Sequence, residues 1–474
     1  MKQINTSRHY IHGVNLYATQ PAQARCDPIV TFKEKATGRS LYLNDEILSS
    51  HLLLLGETGS GKTNVLKHIV YSLIQYLEAG DHDDDVVFVF DPKEELCDYF
   101  YDPANPRHRI LSSGKNRKHS MFWNIYEEIF PKIPPCKRAT PVQIGTQDEF
   151  ELALDVCDHL FTGTEASHNP FFPSASKTLL AAKLVYDYRR AVEEKSVSQL
   201  SNAELSRFFR SEISPSAYNV IAQTYADLRY IRSLFGYATS NELGEMGSGV
   251  FALLTEHINR TIHGDFAADR VPNRVFGGRT AAAKKGAMVY FLCFDPSDIS
   301  SKAIFSLIID SIIKVQLSQN LANRGHTYLI LEEARLLLPL KNLEQGLNEG
   351  RSLGLRCIAS LQSVSQLYSG YGNPQEAESI LGGFTNAITL RSTNKATREM
   401  LSDRAGKCYV DYAYSVDDPE FPTRESVYFQ RDGQVIEDWD ILSLDKGQSI
   451  VLLNNHPPFR MDFPEYNYPK RDES

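Results

Sequence analysis

No run in this sequence approaches the roughly 18 consecutive apolar residues that a membrane-spanning helix needs, and the opening MKQINTSRHYIHG lacks the apolar core of a secretory leader. No segment is therefore expected to cross or anchor in a bilayer. Cysteine is scarce, with seven residues at positions 26, 97, 136, 157, 293, 357 and 408, odd in number and never spaced Cys-x-x-Cys. That scatter argues for the reducing cytosol and against a zinc site. Cys293 and Cys357 sit inside apolar runs and read as small buried hydrophobes. A basic excess is also missing. With 50 Lys and Arg against 59 Asp and Glu the net charge is −9, so any nucleic acid must be met by local basic surface. Two segments qualify: Lys115-Asn116-Arg117-Lys118-His119, and the acid-free span holding Arg270, Arg274, Arg279, Lys284 and Lys285. Each reads either as a phosphate contact or as a solvated loop. The acidic run Asp81 with Asp83 to Asp85 reads as a solvated turn. There is no low-complexity tract and no internal repeat. At 474 residues, 42% hydrophobic and 23% charged, the chain has an ordinary globular composition and is too long for one core.

What is present begins at residue 56. Gly56-Glu57-Thr58-Gly59-Ser60-Gly61-Lys62-Thr63 is a complete G-x-x-x-x-G-K-[ST] loop, preceded by the apolar run Leu52 to Leu55 and followed by a helical stretch from Asn64 to Tyr76. Strand, loop and helix occur in the order that a phosphate-binding loop requires. Its glycines let backbone N–H groups turn inward on phosphates. Lys62 supplies charge to the β- and γ-phosphates, and the Thr63 hydroxyl is placed to ligate Mg²⁺. ATP with Mg²⁺ is the ligand this pattern predicts.

Around the loop, residues 29 to 43 alternate about the turn Ala36-Thr37-Gly38, which predicts a short hairpin. Val86 to Phe90 is a continuous apolar run ended by Asp91-Pro92, as buried parallel strands are, and the prolines at 103, 106, 131, 134 and 135 mark loop-rich chain beyond it. From 147 to 265 the spacing turns helical, in Phe150 to Leu160, Ser174 to Ala191, Ala203 to Arg210, Ala217 to Leu228 and Gly249 to Ile262. Strand-like runs then return at Met288 to Phe294, Tyr328 to Leu331, Arg356 to Ala359, Ala387 to Leu390 and Ser449 to Leu453, alternating with helical segments such as Ile304 to Leu317. The pattern predicts an α/β protein with a central, mostly parallel twisted sheet interrupted by an all-α insertion. The expected divisions are 1–146, holding the hairpin and the first part of the nucleotide-binding domain, 147–265 for the helical domain, and 266–474 for the second part. The tail from Pro469 is expected to fray.

A phosphate loop needs an acidic partner at a neighbouring strand end, to hold the Mg²⁺ shell and orient the attacking water. Leu329-Ile330-Leu331-Glu332-Glu333 supplies one, with Glu332 on the metal side and Glu333 activating water. The plainer alternative is an acidic pair stabilised by a helix dipole. Arg351 falls at a helix end and Gln362 at the end of the next strand. They read either as an arginine finger and a γ-phosphate sensor, or as a helix-capping charge and a surface amide.

Taken together, Gly56 to Thr63, Leu329 to Arg335, Glu349 to Arg356 and Ser360 to Gln366 resemble the type IV secretion coupling proteins, the TraG/TraD-type conjugative ATPases of the HerA/FtsK superfamily. Phe90-Asp91-Pro92-Lys93-Glu94 is similar to the family's DPKGE-like segment, Asn169 to Phe172 to the start of its all-α domain, and Phe384 to Arg391 with Arg398 to Lys407 to its late strand and helix. The resemblance covers roughly residues 40 to 465. It implies a RecA-like P-loop NTPase interrupted by an all-α domain, assembled as a homo-oligomeric ring, with six subunits expected, that hydrolyses ATP to move DNA. By motif position it implies Lys62 and Thr63 as nucleotide and Mg²⁺ ligands, Glu332 and Glu333 as the acidic pair, Arg351 as a trans finger and Gln362 as a sensor. The all-α domain would select the DNA–protein substrate. Two features depart from the family: members usually begin with transmembrane helices, which this sequence does not contain, and Glu332 stands where an Asp is usual.

Three functions follow. The first is a DNA translocase of the coupling type, with relaxase and secretion-channel partners. The second is a soluble motor working with a nuclease or other effector in DNA processing or anti-phage defence. The third is a nucleotide-dependent adaptor with little hydrolysis.

Overall fold

Leu52 to Leu55 are wholly buried, and each such leucine contributes about 1.5–3 kcal/mol by leaving water. A strand buried on both faces must lie inside a sheet, and this computed structural model has it there. The structure describes residues 3–19, 27–35, 37–80, 82–113, 117–130, 147–161, 169–235, 237–239, 242–269, 274–284, 286–298, 301–318, 325–417 and 426–467. Cys26, Ala36, Asp81, Lys115, Asn116, Pro131, Pro134, Pro135, Cys136, Arg270, Lys285 and the tail from Pro469 lie outside them. Two compact units form: one from Met1–His82, Tyr328–Pro339 and Leu347–Ser474, the other from Asp83–Thr327 and Leu340–Gly346.

In the first unit six strands lie side by side in the order Phe459–Asp462, Gln448–Leu452, Asn386–Leu390, Leu52–Leu55, Leu355–Leu361 and Thr327–Leu331. Leu52–Leu55 pairs in parallel with both neighbours, while Gln448–Leu452 and Phe459–Asp462 are antiparallel additions at one edge. The expected hairpin is Val30–Lys33 with Ser40–Leu43. The helix after the loop runs Lys62–Glu78 and buries Val65, Leu66, Ile69, Val70, Leu73, Ile74 and Leu77, one stripe at helical spacing.

A polar staple sets the start of the central strands. His51, with φ of 55°, donates through Nε2 to the Leu347 carbonyl (3.1 Å) and accepts at Nδ1 from the Cys357 amide (3.1 Å). Asn386 Nδ2 donates to the carbonyls of Ile47 (2.7 Å) and His51 (2.9 Å). Both side chains are buried, so each bond replaces water that the core excludes.

This unit also holds a sheet that the sequence reading did not anticipate. Gln3–Gly13, Lys407–Asp417 and Ser426–Gln434 form three antiparallel strands, joining residues some 400 positions apart in the chain.

The second unit carries three parallel strands in the order Val86–Phe90, Met288–Cys293 and His108–Ser112. Asp91 ends the first of them and caps the next helix, Glu95–Phe100, accepting from the amides of Glu95 (3.1 Å) and Cys97 (2.7 Å). Helices Gln147–Leu160, Phe171–Glu193, Asn202–Arg207, Pro215–Thr224 and Glu245–Thr261 occupy the stretch read as helical. One correction applies: Tyr237–Thr239 and Glu242–Leu243 form a small antiparallel pair there, too short to leave a period in the sequence. Arg189, 1% exposed, ties three segments together through Nε to Glu149 (3.1 Å) and a two-pronged contact to Asp227 (3.0 and 2.9 Å), with its guanidinium over the Tyr225 ring.

Two sequence expectations change. Asp85 is buried rather than solvated, since Oδ1 accepts from the His326 amide (2.5 Å). Arg274 and Arg279 do not offer free basic surface. Arg274 donates to the Ser120 carbonyl (2.5 Å) and stacks over Phe122, while Arg279 is buried near Asp155 (3.8 Å). Cys97, Cys157, Cys293, Cys357 and Cys408 are buried thiols, as read for Cys293 and Cys357. Among the described residues no helix is long and apolar enough to cross a membrane.

Two stability predictions result. Replacing Arg189 with Ala strands Glu149 in the helical core and should cost about 3 kcal/mol, whereas Asp227→Asn, at a half-exposed position, should cost under about 1 kcal/mol. Urea midpoints of the full chain compare them. Burial lowers the His51 pKa from 6.5 to about 4, so the folded chain keeps the ring neutral while the unfolded chain binds a proton below pH 6.5. The contribution of His51 is thus complete above that pH and is lost as pH falls towards 4, by on the order of 3 kcal/mol. His51→Asn, which tolerates the left-handed backbone, should flatten that part of the pH–stability curve.

Candidate nucleotide-binding site

The loop between Leu55 and Lys62 depends on glycine for backbone conformations that other residues rarely adopt. Gly56, Gly59 and Gly61 have φ of 152°, 80° and 114°. A Cβ on Gly56 would lie 2.7 Å from Ser60 Oγ and 2.9 Å from Leu390 Cβ. The loop is latched from both sides: the Glu57 amide donates to the Arg391 carbonyl (3.1 Å), the Thr393 amide to the Glu57 carboxylate, and the Gly447 amide to the Ser60 carbonyl (3.0 Å). Hydrogen bonding from Thr393 holds the Glu57 carboxyl below its usual range. Ser60 Oγ closes the turn on the Glu57 carbonyl (2.7 Å).

Helix Lys62–Glu78 starts at Gly61 with no side-chain cap, which leaves its first N–H groups and the positive end of its dipole directed at the loop. An anion is the complementary ligand. Lys62 is buried and its Nζ donates to the carbonyls of Gly56 (2.5 Å) and Glu57 (3.1 Å), across the concavity of the loop. Thr58 and Gly59 are exposed at the loop's tip.

The strand order brings the acidic pair here. Leu355–Leu361 lies between Leu52–Leu55 and Thr327–Leu331, so Gln362 leaves the sheet between the loop and Glu332-Glu333. Thr63 Oγ1 donates to Glu332 Oε1 (2.9 Å) across that gap, and the extra methylene of Glu332 does not prevent the contact. Glu332 and Glu333 are 2% and 7% exposed, so neither is a solvated helix-start charge. Glu333 has φ of 50°, a left-handed backbone that costs a non-glycine residue about 1 kcal/mol or more. Gln362 Nε2 reaches both of its carboxylate oxygens (3.3 Å each), and Arg335 Nε lies 3.6 Å from one of them. The backbone N–H of Gln362 donates in turn to Gln366 Oε1 (3.0 Å).

Arg351 is not part of this cluster. It is exposed in the turn after Leu343–Glu349, and among the described residues its guanidinium has no hydrogen bond or ion pair. Sequence reasoning missed the latches at Arg391, Thr393 and Gly447, to which these three residues contribute backbone groups that are silent in residue identity.

Among the described residues no group of three or more His, Cys, Asp or Glu could hold a metal by itself. The Thr63 hydroxyl and Glu332 carboxylate are nonetheless two hard oxygen donors side by side. That suits Mg²⁺, which keeps most of its waters and takes the rest of its shell from a substrate.

Fold and site together define a RecA-like P-loop protein. Within that class the chain is related to the type IV secretion coupling proteins of the HerA/FtsK superfamily. A family model for the type IV secretion-system coupling protein DNA-binding domain matches residues 280–460, and one for the central domain of helicase HerA matches 33–260. Solved structures of the bacterial conjugative coupling protein TrwBdeltaN70 are similar. The unbound form has a TM-score of 0.67 at 17% identity over 98% of this chain and 96% of that one. TrwB with a non-hydrolysable ATP analogue has 0.67 at 18%, covering 98% and 96%, and TrwB with ADP and Mg²⁺ has 0.67 at 17%, covering 99% and 97%. At such identity the likeness speaks for the fold. No curated protein sequence matches the chain.

Gly56→Ala tests the loop. The clash with Ser60 and Leu390 should displace the cradle and abolish detectable ATP binding by calorimetry, while the unlatched tip position Thr58→Ala should bind within about twofold of wild type.

Proposed function

We propose that this chain is an ATP-driven DNA translocase of the conjugative coupling-protein type, working as a homo-oligomeric ring, with six subunits expected. The observation that carries the proposal is the Thr63–Glu332 contact beside a Glu333–Gln362 pair at the mouth of an uncapped, glycine-built loop. In this reading the loop amides and Lys62 hold the phosphates of ATP, and Lys62 leaves the Gly56 and Glu57 carbonyls to do so. Thr63 and Glu332 hold Mg²⁺, which when bound neutralises charge on the phosphates. Glu333 accepts the proton of the attacking water, and the Gln362 amide, already on that carboxylate, keeps it aimed and registers the γ-phosphate.

An exposed Arg351 whose guanidinium has no partner among the described residues suits a finger that completes a neighbouring subunit's site. Residues 1–146 and 266–474 would then form the motor, and the helices of 147–265 the part that selects the DNA–protein substrate. TrwB has been solved with an ATP analogue and with ADP and Mg²⁺, which supports the same ligands here. A second reading is a motor paired with a nuclease or other effector, and the match to a helicase central domain is compatible with either; the partner that co-purifies, relaxase or channel component against nuclease, separates the two.

Purified protein should hydrolyse ATP faster with DNA, and the stimulation should fall steeply as salt rises, because phosphate contacts dominate such binding. Lack of stimulation at every low-salt condition would remove the proposal's main support. Glu333→Gln should keep nucleotide binding and lower turnover by about 10²-fold or more, and turnover equal to wild type would favour an adaptor. Arg351→Ala should behave similarly, with a loss of about 10³-fold, but only under conditions in which subunits associate.

A further inference from the structure

The strand next to the phosphate loop ends in an arginine whose part in this site no motif indicates. Asn386–Leu390 pairs with Leu52–Leu55 in parallel, Thr389 opposite Leu55, so Arg391 lies alongside the first residues of the loop. The register is pinned there by the Glu57 amide donating to the Arg391 carbonyl (3.1 Å). On the far side of the same residue, the Glu57 carbonyl accepts from Lys62 Nζ (3.1 Å). Arg391 is thus anchored at the Gly56–Glu57 end of the cradle, the end where the ammonium that serves the terminal phosphates now rests. Its side chain is exposed and has no hydrogen bond or ion pair among the described residues. The nearest acid, Glu57, feels its charge but is already engaged by Thr393. A guanidinium with five donors, placed beside an anion cradle and committed to nothing else, is suited to phosphate.

We infer that Arg391 is a phosphate-binding residue acting within its own subunit, reaching the terminal phosphate of the nucleotide and favouring the triphosphate over the diphosphate. This rests on the nucleotide site proposed above. It differs from the role given to Arg351, because a cation attached to the loop's own sheet needs no neighbouring subunit.

The test is calorimetric titration of the full chain with Mg²⁺ and either a non-hydrolysable ATP analogue or ADP, at protein concentrations below and above assembly. Arg391→Ala should weaken the triphosphate analogue about tenfold or more and ADP less than threefold, at both concentrations. Arg391→Lys should recover part of the difference. Thermal unfolding identical to wild type would confirm that the exposed side chain carries no structural load. An unchanged triphosphate-to-diphosphate ratio in Arg391→Ala overturns the inference, as does a loss seen only in the assembled state. Wild-type protein that binds neither nucleotide would instead overturn the nucleotide site itself, so the two failures are distinguishable.

Discussion

The hydrogen bond from Thr63 to Glu332 is the constraint on which the site depends. It joins the first turn of one helix to the end of a strand two places away in the sheet, with Leu355–Leu361 between them. Such a bond forms only if three strands hold their register to within a fraction of an ångström, since a one-residue slip would turn every side chain on a strand to the opposite face. The continuous burial of Leu52–Leu55, Leu355–Leu361 and Thr327–Leu331 fixes their depth in the core. Apolar burial has no direction and cannot alone fix register along the strands. The polar staple of His51 and Asn386 supplies that direction at the opposite end, because each of its hydrogen bonds is satisfied in one register only. Loop and staple are the two ends of one alignment.

Within that alignment the acidic pair divides its work by environment. Glu332 faces a hydroxyl on the loop's helix, a partner it can share with a cation. Glu333 turns away through a left-handed backbone and meets an amide and, at 3.6 Å, a guanidinium. Successive residues on an extended strand would point to opposite faces. The left-handed step at Glu333 brings its carboxylate to Gln362 rather than to the core, and the hydrogen bonds from Gln362 offset part of its strain.

Much of this was legible in the sequence. The loop is a fixed string, the strands are short apolar runs, and the helix from Lys62 has a clear stripe, because buried parallel sheets write their pattern locally. The acidic pair and Gln362 were legible because they follow such runs at once. The sheet of Gln3–Gly13 with Lys407–Asp417 and Ser426–Gln434 was not, since its strands are mixed in polarity and one partner lies some 400 residues away. Asp85, Arg274 and Arg279 were misread for a related reason: a charge looks solvated in a sequence until the backbone groups and rings that engage it are known. The loop latches escaped notice because amides and carbonyls are present at every residue, and only the fold determines which of them meet.

Arg351 and Arg391 differ in a way that has mechanical consequences. Arg391 is tethered by its backbone to the loop, so in the proposed ring its anchor point beside Lys62 would belong to the same subunit at every stage. Arg351 lies in an exposed turn, and in the proposed ring any charge it lent to a neighbour would be withdrawn if that neighbour rotated. A site with one fixed and one removable guanidinium would hold its triphosphate at every stage of a cycle and hydrolyse it only when the ring geometry is right. Binding and turnover would then be controlled by different residues, the separation that a motor needs to wait for its substrate without spending its fuel.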